Sequence, residues 1–134
     1  MPSGKIVTKP GILIVDDNQP MRELLKITLA GVAEIVGECA EGAESLAAYD
    51  RLRPDLVLMD VGMKNVDGIT ATRRIIEAFP QKARIAIVTD YYEAELRREA
   101  FEAGACIMSA RKTCFIYWKF CPKNKRQPLN LRLD

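Results

Sequence analysis

Short apolar runs alternate with amphipathic stretches along the chain, and this alternation predicts its elements. "GILIVDD" is an apolar run closed by two acids and predicts a buried strand over residues 12–16. "NQPMRELLKITLAG" follows, with Met21, Leu24, Leu25, Thr28 and Leu29 on one helical face. Asn18 suits its N-cap and Pro20 its first turn. "AEIVGEC" predicts a second strand and "EGAESLAAYDRL" a second helix, closed by Pro54. "DLVLMD" and "DGITATRRIIEAF" form a third pair, stopped by Pro80. "ARIAIVTD" and "EAELRREAFEAG" form a fourth, with Gly104 ending the helix.

Strand–helix pairs joined by connections of a few residues imply a parallel sheet covered by helices on both sides. In such a sheet ligands bind at the carboxyl ends of the strands. Three runs end in "IVDD", "LMD" and "IVTD", so Asp16, Asp17, Asp60 and Thr89 converge on one edge. A single acid after a strand is explained as well by a turn or a cap. Three acids and a hydroxyl at three strand ends are not. Clustered carboxylates repel and need a cation, and hard oxygen ligands without histidine suit Mg²⁺. A carboxylate beside Mg²⁺ can act as a nucleophile toward phosphorus and form an aspartyl phosphate, with the metal and donors such as Thr89 stabilising the transferring oxygens. The sequence holds no P-loop, no GxGxxG and no nucleophilic Ser/His/Asp set.

Composition narrows the class. At 134 residues, 49% hydrophobic and 28% charged, the chain is one ordinary soluble domain. No run approaches the ~20 apolar residues of a membrane span, and "MPSGKIVTK" has no apolar signal region, so a cytoplasmic protein without membrane contact is expected. The four cysteines (Cys39, Cys106, Cys114, Cys121) show no paired spacing and, without histidine, read as buried or incidental thiols rather than a zinc site. Charge is uneven: residues 111–134 hold seven Lys/Arg and one Asp, whereas residues 1–110 hold thirteen Lys/Arg and seventeen Asp/Glu. The basic end is only a weak pointer to nucleic acid.

"ILIVDDNQPMRELLK", "PDLVLMDVGMKNVDGITATRRI" and "IAIVTDYYEAELRREAFEAGA" together resemble a two-component response-regulator receiver domain over residues 11–105. "VGECAEGAESLA" and "PDLVLMD" are most similar to the NarL/FixJ-type subclass, whose members usually carry a C-terminal helix-turn-helix. The resemblance implies a flavodoxin-like (βα)5 fold, a doubly wound five-stranded parallel sheet. It implies Asp60 as phosphoacceptor, Asp17 as a direct Mg²⁺ ligand, Asp16 as its support through water, and the Gly62 carbonyl as a further ligand. Thr89 would be the switch hydroxyl, and Asp67-Gly68 the turn into the third helix. Lys64 stands where the family usually has proline. Tyr91 and Tyr92 are either exposed signalling aromatics or packing beside the fourth helix. A chain without histidine needs an external donor, a sensor histidine kinase or a small phosphodonor. A second receiver copy is a further candidate partner. DNA contact is not expected without an effector domain.

After Gly104 the order breaks. The family's switch aromatic falls on Met108 and its phosphate-gripping lysine on Arg111, with Lys112 one residue late; in a strand that slip turns the side chain to the other face. "TCFIYWKFCPKNKRQP" lacks helical periodicity and contains Pro122. A shifted reading frame accounts for this. Permitted codons turn the stretch from Cys106 into Cys-His-Tyr-Val-Cys-Lys-Glu-Asp-Leu-Phe-Tyr-Leu-Leu-Glu-Ile-Leu-Pro, which restores the aromatic, the lysine and an amphipathic helix. Residues 107–134 are thus hypothesised to be out of frame, and the nucleotide sequence tests this. The expected organisation is an N-terminal extension (1–10), a receiver (11–112) with an irregular last βα unit, and an atypical basic, aromatic tail (113–134) with no effector domain. A natural variant tail is the alternative, in which "CIMSA" still pairs as a strand. Two other functions compete: a phosphorylation-silent interaction module with a degenerate switch, favoured by the displaced lysine, and an acid-anhydride hydrolase. The latter is disfavoured because residue 62 is glycine rather than a general acid.

Overall fold

The computed structural model describes residues 9–89 and 93–109. Strands and helices alternate as the apolar pattern predicts: β1 (Gly11–Val15), α1 (Gln19–Leu29), β2 (Glu34–Cys39), α2 (Ser45–Leu52), β3 (Leu56–Asp60), α3 (Gly68–Ala78), β4 (Ile85–Val88), α4 (Ala94–Ala103) and β5 (Ile107–Ser109). The strands form one parallel sheet in the order β2-β1-β3-β4-β5. The chain runs outward from β1 to β2, then returns past β1 to β3, β4 and β5. The direction reverses between β1 and β3, which opens a crevice at their carboxyl ends.

β1, β3 and β4 read as continuous apolar runs because both of their faces are covered. Apart from Gly11, every residue in them is buried. Leu13, Val15, Val57, Met59, Ile85 and Ile87 share one core with Tyr49 of α2, Ile75 of α3 and Ala100 of α4. The alternate residues Ile12, Ile14, Leu56, Leu58, Ala86 and Val88 share a second core with Leu25 and Leu29 of α1. This is the period of two that sends successive strand residues to opposite faces. β2 departs from the expectation of a buried strand. It lies at the end of the strand order, only Cys39 in it is buried, and its register with β1 skips Val36.

The element ends follow local chemistry. The Asn18 side chain accepts from the Met21 N–H at 2.9 Å and caps α1, with Pro20 in the first turn. Asp67 caps α3 by accepting from the Thr70 N–H at 2.8 Å. Gly104 closes α4 at φ 110°, a left-handed conformation that favours glycine. The second helix begins later than expected. Residues 42–44 form a 3₁₀ turn, and the Ser45 hydroxyl donates to the Gly42 carbonyl at 2.6 Å. β1 ends one residue early, at Val15: the Asp16 N–H still bonds to the Cys39 carbonyl, but the Asp16 carboxylate turns to accept from the Asn18 N–H at 2.9 Å.

"CIMSA" does pair as a fifth strand, with Met108 opposite Ile87 and buried. Arg111, Lys112, Tyr91, Tyr92, most of the N-terminal extension, the 113–134 tail and nearly all of the segment read as out of frame lie outside the described residues. Cys39 is a buried free thiol, pushed up to about 11 by burial first and by Glu44 second. Cys106 differs from the thiol expectation in being disulfide-bonded. No described helix is long and apolar enough to cross a membrane.

Candidate functional site

The crevice between β1 and β3 gathers the acids. Asp16 and Asp17 leave the end of β1, and Asp60 ends β3, one strand over. Their carboxylate oxygens lie within 4.8 Å of one another. Asp16 and Asp60 are buried, at 2% and 5% exposure, and Asp17 is exposed. Buried carboxylates need partners or a cation, and an all-oxygen set with one open side fits a hard divalent ion that keeps water ligands. Thr89 follows Val88, the residue in register with Asp60, and is buried at 2%. The Gly62 N–H lies 3.4 Å from Asp60 Oδ1. The structure thus brings together Asp16, Asp17, Asp60 and Gly62, with Thr89 at the next strand end. Arg111 and Lys112 lie outside the described residues.

Arg22 is the contributor the sequence did not disclose. Its Nη1 donates to the Asp16 carbonyl at 2.7 Å and its Nε to Glu38 Oε1 at 3.1 Å. Glu38 Oε2 also accepts from Lys26 Nζ at 2.9 Å. Hydrogen bonds from Lys26, and then from Arg22, hold the Glu38 carboxyl below the usual carboxylate range, against the opposing effect of burial. Arg22 and Lys26 are four apart, one turn along a helix face, but only the β1–β2 pairing shows that this face meets Glu38 and the Asp16 turn. Arg22 therefore fixes the peptide from which Asp16 projects.

Beside Asp17 lies a cavity of about 160 Å³, lined also by Glu41, Gly42, Met63, Lys64 and Asn65. That is below the roughly 300–1,000 Å³ of pockets for drug-sized ligands. It has room for a hydrated ion or a small anion and none for a nucleotide.

A family model described as "Response regulator receiver domain" matches residues 12–108. The chain belongs to the response-regulator receiver family. Among its relatives is the transcriptional regulatory protein YhcZ of Bacillus subtilis, 40% identical over 96 residues, which cover 70% of this chain and 44% of that protein. The chain spans between 28% and 45% of the length of the longer curated relatives it matches. Two solved structures place the fold. A LuxR-family two-component response regulator from Aurantimonas sp. superposes with a TM-score of 0.74 at 30% identity, covering 81% of this chain and 79% of that one. CheY of Borrelia burgdorferi, in a complex with CheX, BeF₃ and Mg²⁺, superposes with a TM-score of 0.72 at 25% identity, covering 84% and 90%. The receiver fold and a role in two-component signalling, each expected from the sequence, stand, and the LuxR-family structure agrees with the expected NarL/FixJ-type likeness.

Proposed function

We propose that this receiver, over residues 11–112, accepts a phosphoryl group on Asp60. The observation that carries this is the acid triad at the β1–β3 reversal, with Asp60 the member that ends β3. Asp17, Asp60 and the Gly62 carbonyl would hold Mg²⁺ directly, with Asp16 behind them. Bound there, Mg²⁺ supplies charge neutralisation for the transferring oxygens. The Asp60 carboxylate attacks phosphorus, an oxygen–phosphorus bond forms, and the bond to the donor breaks with its electrons leaving on the donor. The product is an acyl phosphate whose oxygens attract the Thr89 hydroxyl. Movement of Thr89 alters the face around α4 and β5, a two-state change biased by contacts made only with phosphate present. Arg111 or Lys112 would supply the remaining cation.

With no histidine in the chain, the donor is a sensor histidine kinase or a small phosphodonor, and the cytoplasm is where such donors meet it. The chain assists its own phosphorylation and dephosphorylation and turns over no other substrate. Its output is contact with a partner protein, a second receiver included. The test is intact-mass analysis after incubation with acetyl phosphate and Mg²⁺, on this chain and on Asp60→Asn. One adduct that requires both Mg²⁺ and Asp60 is expected. A folded chain that takes up no phosphoryl group refutes the assignment and leaves the phosphorylation-silent module.

A further inference from the structure

Glycine is required at position 68 for space rather than for backbone conformation. The described glycines with left-handed φ are Gly31 and Gly104, and Gly68 is not among them. A β-carbon on Gly68 would overlap the Asp60 carbonyl oxygen and lie 2.7 Å from the Asp60 carbonyl carbon and 3.0 Å from Val61 Cα. These are backbone atoms and cannot rotate aside. The start of α3 therefore rests directly on the strand end that carries Asp60.

This contact has a directional result. The Gly68 N–H donates to the Val61 carbonyl at 3.2 Å. That carbonyl and the Gly62 N–H belong to one planar trans peptide unit and point in opposite directions. Fixing the carbonyl on α3 aims the N–H toward the other side, where Asp60 Oδ1 lies 3.4 Å away. A preorganised donor beside an oxygen that gains and sheds charge is worth far more than the same donor free to turn. The far end of this loop is held in a similar way: a β-carbon on Gly42 would overlap the Val66 carbonyl, and the Ser45 hydroxyl anchors Gly42.

We propose that Gly68 is a positioning residue for phosphoryl acceptance: its missing side chain lets α3 grip the Val61–Gly62 peptide and aim the Gly62 N–H at Asp60. The inference rests on Asp60 being the phosphoacceptor. The experiment measures single-turnover phosphorylation of the full chain by acetyl phosphate at saturating Mg²⁺, per folded molecule. The variants are Gly68→Ala, Gly42→Ala and Gly37→Ala, with Asp60→Asn as the blank. Gly37 is the control for simple destabilisation, because its β-carbon would meet the movable Leu52 side chain at 2.5 Å, away from the acids. Displacement by about an ångström costs roughly 10²-fold in rate, so Gly68→Ala is expected to lower the maximal rate constant at least about tenfold with little change in the donor's half-saturation, and Gly37→Ala to keep the parent rate. If Gly68→Ala does not fold, Gly42→Ala carries the test and is expected to slow the same step. A folded Gly68→Ala at the parent rate, or Gly42→Ala at the parent rate when Gly68→Ala is unfolded, overturns the proposal. A parent chain that takes up no phosphoryl group removes the reading of Asp60 and the proposal with it.

Discussion

Replacing Thr72 by valine is expected to stabilise the fold. Thr72 sits on the buried stripe of α3 with Ile69, Ala71 and Ile75, is fully buried, and its hydroxyl has no hydrogen-bond partner among the described residues. An unsatisfied buried polar group costs about 1–3 kcal/mol. Valine has nearly the same shape, similar helix propensity, and a methyl where the hydroxyl was, worth up to about 0.8 kcal/mol of burial. Partial relaxation around the hydroxyl reduces the sum, so a net gain of about 1–2 kcal/mol is expected. For a domain of this size that is a rise in Tm of roughly 3–6 °C. Equilibrium urea denaturation should show a higher midpoint at unchanged slope, since the surface exposed on unfolding is the same. A lower midpoint would refute the reasoning, because it would mean that the hydroxyl is bonded in the folded protein.

Three further outcomes follow from the site and its supports. Glu38→Gln should lose stability at pH 7 by less than about 1 kcal/mol, because the pairs are part-exposed and screened. Its folded carboxyl is held low by Lys26 and Arg22, so the stabilisation is present above the unfolded value near 4.5 and fades as pH falls through the folded value; parent and variant should converge in acid denaturation curves below that window. Asp67→Ala removes the cap of α3 and should cost about 1 kcal/mol in chemical denaturation. Mg²⁺ should raise the melting temperature of the parent chain by mass action and fail to do so for Asp17→Asn, and an equal rise in both would remove Asp17 from the ligand set.

The elements were legible because each apolar run and each breaker has one local meaning. Pro54, Pro80 and Gly104 end helices where they stand, and Asn18 caps where its spacing requires. The acid triad was legible because parallel strands deliver their carboxyl ends to one edge. What the sequence hid depends on pairings between distant segments. β2 reads like the other apolar runs, but its place at the end of the strand order leaves most of it partly exposed. Arg22 looks like a surface helix residue until β2 brings Glu38 beside it. Gly68 looks like a turn glycine until its lack of strain and its contact with Asp60 are seen together. Met108 breaks the family's pattern in size and chemistry, but an apolar side chain opposite Ile87 is enough for a strand to form.

The place of β5 in the strand order shapes how the molecule opens. β1 and β3 each lie between two strands, and their amides can exchange with solvent only when the sheet itself comes apart. Among the described residues β5 is in register with Ala86, Ile87 and Val88 of β4, at the end of the strand order. Its amides belong to a smaller cooperative unit that can detach and return while the rest stays folded. Hydrogen exchange should therefore run inward from that end, with β5 first and β1 and β3 last.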